Sequence, residues 1–117
     1  MESKYSLKTQ KEIEDLSDKI DEWKEIFTIT LKYFYEGWAF YLREKNIYPR
    51  LIVIFKPYIE DFYILKSFDI HINPENNETY EELYTSEEIE DLNLLVKELK
   101  DVLYGKDLIK SELKKIR

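Results

Sequence analysis

A chain of 117 residues with 37% charged side chains, a net charge of −7 and no cysteine excludes disulfide staples and thiolate metal sites. Its longest run without a charged residue is six, far below the roughly 20 apolar residues that a bilayer-spanning helix requires. The acidic balance also disfavours nonspecific attraction to phosphate backbones.

The length suits one domain, 1–117, and residues 1–8, rich in Lys and Ser, are expected to fray. Lys4, Lys8, Lys11, Glu12, Glu14 and Asp15 leave no apolar core for a signal peptide. Fifteen lysines and seventeen glutamates stand beside fourteen isoleucines, one alanine and one glutamine. That usage resembles proteins of thermophilic archaea and their viruses, where ion-pair networks are favoured because charge desolvation becomes less costly on heating. With no cysteine, a reducing, cytoplasmic setting is expected, the host cytoplasm for a viral protein.

From Thr9 to Leu42 there is no proline and only one glycine. Ile13, Leu16, Ile20, Trp23, Phe27, Thr30, Phe34, Gly37 and Tyr41 recur at steps of three and four, which predicts one long helix. Thr9 and Glu12 have the spacing of a capping box at its start. Such a helix would be roughly 50 Å long, against roughly 35 Å for a compact chain of this size. It must therefore break near Gly37 or project toward a second copy. The second case makes Ile13, Leu16, Ile20, Trp23 and Phe27 the interface of a homodimer, with Trp23 as anchor.

Pro49 marks the end of the helical pattern. Arg50 to Lys56 encloses five apolar, mostly β-branched residues and predicts a strand covered on both faces. Asp61 to Ile72 ends in alternation, with Phe68, Ile70 and Ile72 opposite Asp69 and His71, which is a half-buried strand with a bulge or break at Ser67. Two or three antiparallel strands linked through Pro57 to Glu60 follow. Asn73 to Asn77 is a loop. Thr79 with Glu82 suggests a single helical turn, and Thr85 with Glu88 a helix from Ser86 to about Leu103 along Ile89, Leu92, Val96, Leu99 and Leu103. Gly105 ends it, and Asp107 would cap a short terminal helix carrying Leu108, Ile109, Leu113 and Ile116. The predicted class is α+β in the order α-β-β-(β)-α-α, with helices on one face of a small antiparallel sheet.

Two isolated glycines cannot build a phosphate-cradling loop. No serine has a histidine-containing motif, so no activated nucleophile is recognisable. The acidic pairs lack the glycine-pivoted order of a calcium loop and read as helix-start charges. No cofactor is expected. The one histidine, His71, shares a strand face with Asp69 and could approach Glu60 or Asp61, a weak metal-ligand pair whose plainer reading is an exposed strand histidine; the corresponding alternative is a metal-dependent hydrolase. A nucleic-acid binder would use Arg43, Lys45 and Arg50, with Tyr58 and Tyr63 as stacking surfaces, and the basic segment Lys106 to Arg117. The preferred expectation is a non-enzymatic, homodimeric interaction protein with a protein partner, such as a viral or mobile-element accessory factor or inhibitor. Between Glu75 and Asp91 lie eight acidic residues and no basic one. Glu81, Glu82, Glu87, Glu88, Glu90 and Asp91 are the candidate partner-binding residues, imitating nucleic-acid charge on a basic groove.

Overall fold

The computed structural model describes residues 6–46 and 49–106. Helix α1 (Leu7–Ile20) and a short 3-10 turn (Asp21–Trp23) lead into β1 (Phe27–Tyr33), β2 (Gly37–Glu44), β3 (Arg50–Pro57), β4 (Ile64–Ile72) and β5 (Glu78–Thr85), followed by α2 (Leu92–Leu103). The five strands form one antiparallel sheet in sequence order, β1-β2-β3-β4-β5. Among the described residues no helix is long and apolar enough to cross a membrane.

The expected sheet of two or three strands is thus corrected to five, and the long helix to one of 14 residues. Ser6 caps α1 by accepting from the Thr9 amide at 3.0 Å, in place of the expected Thr9 cap, and Leu7 and Lys8 already belong to the first turn. Thr9, Ile13, Leu16 and Ile20 form its buried stripe. After Trp23 the chain switches from a helical to a strand period. Phe27, Ile29 and Leu31 alternate with Thr28, Thr30 and Lys32, and β-branched residues in that alternation favour a pleated ribbon over a helix. A tight reversal, with the Phe34 amide donating to Gly37 O at 2.7 Å, then returns β2 along β1.

In β3, burial alternates strictly, so only one of its faces is closed; this corrects the strand covered on both sides. The irregularity at Ser67 is a bulge: Ser67 pairs with Tyr84 and Phe68 with Glu82, leaving Leu83 as the extra residue on β5. Asn73 closes the β4–β5 turn, its Oδ1 accepting from the amides of Glu75 and Asn77, while Asn76 takes the left-handed conformation at φ 65°. The turn expected at Thr79 to Glu82 is part of β5.

The helix expected from Ser86 begins only at Leu92, capped by Asp91 Oδ1, which accepts from Asn93 N and Leu94 N. Residues 86–91 stay extended because β4 and the residue just before it offer them partners: Ser86 N donates to Leu65 O, and Tyr63 and Ile89 exchange both backbone hydrogen bonds. The buried residues of α2 are Leu95, Leu99 and Val102, a stripe rotated from the expected seam. The terminal helix expected after Asp107 lies outside the described residues.

Both helices cover the same face of the sheet. The core joins Ile13, Leu16 and Ile20 of α1 with Trp38, Phe40 and Leu42 of β2, Ile52 and Ile54 of β3, Leu65 of β4 and the buried stripe of α2. Each fully enclosed aliphatic side chain contributes roughly 1.5–3 kcal/mol. Among the described residues, the opposite face of the sheet carries no helix.

Candidate functional site

The predicted partner-binding residues separate into two groups. Glu81 and Glu82 lie on β5 and are engaged across the sheet, Glu81 with His71 at 3.5 Å and Glu82 with Lys66 at 3.4 Å. Glu87, Glu88 and Glu90 are exposed on the extended segment before α2, and Asp91 is occupied as its cap. The pairing of that segment with Tyr63 brings it against the β3–β4 connection. There Glu88 and Glu90 meet Glu60 and Asp61 around a depression of about 710 Å³, with Ile59 and Phe62 in its lining. Ile59 is 68% exposed. Lys8 donates to Asp61 at 3.0 Å and holds that carboxyl below the usual carboxylate range. Sequence reading found Glu88 and Glu90 but missed Glu60 and Asp61 as their neighbours, because the backbone bridge between residues 63 and 89 has no local signature.

Beneath α1 a polar cluster is buried beside this acidic end. Lys56, 1% exposed, lies 3.3 Å from Glu12 and donates to Pro57 O at 2.8 Å. The Tyr63 hydroxyl is pushed up to about 12, by burial first and then by the charges of Glu12 and Asp15. Among the described residues, Thr9 Oγ1, Glu12 Oε1 and Trp38 Nε1 are buried without a hydrogen-bond partner.

The open face of the sheet forms a second surface, a trough of about 670 Å³. Its floor is Leu51 and Val53 of β3; Thr28, Thr30 and Lys32 rise from β1, and Lys66, Phe68 and Tyr80 from β4 and β5. Tyr41 and Arg43 of β2 complete it. Arg43 is held by Glu78 in a two-pronged ion pair at 2.6 and 3.0 Å. A flat sheet at about 4.8 Å per strand would keep β2 and β5 roughly 14 Å apart, so this contact records the curl of the β4–β5 hairpin over the open face. Tyr80 donates to the same carboxylate at 3.0 Å. Hydrogen bonds from Arg43 and Tyr80 keep the Glu78 carboxyl below its ordinary range.

Of the nucleic-acid set, residues 107–117 of the basic segment lie outside the described residues, and among the described candidates Arg43 alone reaches the trough. Arg50 is buried, donating to Val102 O at 3.0 Å and paired with Glu44, and Tyr58 and Tyr63 are core residues. Lys45 ties down the turn before β1 by donating to Lys24 O at 3.0 Å. Of the dimer set, Ile13, Leu16, Ile20 and Phe27 are enclosed by this chain's own sheet, and Trp23 packs half-buried against that core. The seam that motivated a homodimer is therefore spent within the chain. Asp69 and His71 are joined by Glu81, not by Glu60 or Asp61, because β4 carries residues 60 and 61 to its opposite end; one ligand atom from each of the three lies within 4.8 Å of the others. Such a set could furnish three donors to a divalent cation.

Compared with family models, curated proteins and solved structures, the chain matches none of them.

Proposed function

We propose that this chain is a non-enzymatic interaction protein that docks its acidic end on a basic surface of another protein in a reducing, intracellular setting. The observation that carries the reading is the convergence of Glu60 and Asp61 with Glu88 and Glu90 from a distant segment, around a depression flanked by the exposed Ile59. Like charges gathered on one surface raise the field that a cationic partner meets and speed its encounter. An apolar residue in their midst supplies the desolvated contact that holds it. A basic groove that normally receives nucleic acid fits this charge pattern.

The test is capture from the native source by wild-type protein and by a variant carrying Glu60→Lys, Asp61→Lys, Glu88→Lys and Glu90→Lys, with circular dichroism to verify that both are folded. A partner retained by wild type, eluted by moderate salt and lost by the folded variant supports the reading; a partner that the variant retains equally removes it.

A second reading rests on the grouping of Asp69, His71 and Glu81, which suits a divalent cation. Calorimetric titration with zinc and manganese tests it. Binding lost in His71→Ala favours a metal site, and absence of heat with either ion dismisses it.

A further inference from the structure

We infer that the trough on the open face of the sheet is a binding site for a free nucleotide, with the base against Tyr41 and Phe68 and the phosphate beside Lys32. Charge gives the first argument. In a chain of net charge −7, the ten residues lining this trough include three cations and no carboxylate. Two of these cations are balanced from outside the lining, Arg43 by Glu78 and Lys66 by Glu82. Lys32 instead lies over the ring of Tyr41, 4.4 Å from its centroid, with no carboxylate partner among the described residues. It can accept an anion without first releasing one. Thr28 and Thr30 stand on the same face of the same strand and offer hydroxyl donors in line with it.

Shape and chemistry of the walls give the second. A volume of about 670 Å³ falls within the roughly 300–1,000 Å³ of small-molecule sites. The floor is apolar, and Tyr41, Phe68 and Tyr80 present rings on which a base can stack. A ligand with a flat ring at one end and an anion at the other satisfies both the aromatic and the cationic walls.

Other occupants fit less well. A second copy placed face to face would set hollow against hollow and leave both unfilled. A long single strand would run out of the trough into a surface of like charge, with Glu78 and Glu82 already at its edge.

An NMR titration of the labelled chain decides among these, using adenosine monophosphate, uridine monophosphate, adenosine, inorganic phosphate and a ten-residue oligothymidylate. The expected result is saturable shifts from either monophosphate confined to the trough residues, with adenosine and phosphate each binding more weakly by about fivefold or more. Lys32→Ala, an exposed change that leaves the core intact, weakens adenosine monophosphate about fivefold, and Phe68→Ala weakens it about tenfold. No shifts at millimolar monophosphate, shifts outside the trough, or equal binding of inorganic phosphate overturns the inference. So does tighter binding of the oligonucleotide than of uridine monophosphate, which assigns the face to single strands. Shifts of the trough residues that follow protein concentration alone assign it to a second copy and equally overturn the proposal.

Discussion

Lys56 shows why single residues escape a sequence reading. It follows five apolar residues in β3 and reads as the solvated end of a strand, yet its side chain is 2% exposed and compensated by Glu12 from α1. Removing one partner of a buried pair leaves the other uncompensated. Glu12→Gln is therefore expected to lower the unfolding free energy by about 2–3 kcal/mol, measured by urea denaturation, whereas Glu12→Leu combined with Lys56→Met recovers most of it. A double variant as unstable as the single would show that the charges do not act as a pair. Arg50, Tyr58 and Tyr63 were legible as basic or aromatic, but their burial depends on helices packed from both ends of the chain.

Tyr63 supplies a pH prediction at the same scale. Its folded-state value of about 12 lies above the ordinary 10.0, so the neutral phenol is favoured by the fold. Its contribution to stability is complete below pH 10 and is lost as the pH rises toward 12. Spectrophotometric titration should show a late-ionising tyrosine that disappears in Tyr63→Phe, together with a shallower fall in stability across that window. An unchanged titration curve would assign the late phase to another of the tyrosines.

Among the elements, the first turns of α1, the strand β3 and the Asn73–Asn77 turn were legible because each carries a local signal: a stripe, a β-branched run, an asparagine cluster; α2 was legible as a helix, but of its expected seam only Leu99 is among the buried residues. The stretch from Phe27 to Glu44 was misread because Phe27, Phe34 and Tyr41 satisfy heptad spacing while β1 satisfies alternation as well. Thr28 and Thr30, β-branched and polar at alternate positions, carried the discriminating signal. Helix capping patterns misled at Thr79 and Thr85 because pairing with β4 overrides a local preference. Gly37 has a role that no helix would give it. A Cβ there would lie 2.3 Å from Lys56 O and 2.9 Å from Pro57 Cα, so the start of β2 can approach the end of β3 only without a side chain. Gly37→Ala is expected to cost about 1–3 kcal/mol, and Asp91→Ala, which removes both amide contacts at the start of α2, about 1 kcal/mol. Urea midpoints check both; a neutral Gly37→Ala would contradict the close approach.

At the scale of the molecule, the two helices of the described residues lie on one face of a five-stranded sheet and leave its other face open among those residues, and two chain connections gather carboxylates at one end. The first candidate surface was partly legible as an acidic run between Glu75 and Asp91, but its true membership was not, because Glu60 and Asp61 arrive through the fold. Of the trough only Arg43 was legible: its cations and rings come from β1, β2, β4 and β5 at spacings that mean nothing along the chain. The expectation of a homodimer rested on an apolar stripe too long for one molecule. Its amino-terminal part, Ile13 to Ile20, instead closes the core over β2 and β3.

Zero-length carbodiimide cross-linking of the captured complex, with the joined peptides located by mass spectrometry, tests the docking claim most directly, because it links carboxylates only to amines in contact. Docking through the acidic end joins partner lysines to Glu60, Asp61, Glu87, Glu88 and Glu90. Links confined to other carboxylates, such as Glu14, Asp18 or Glu75, would contradict it.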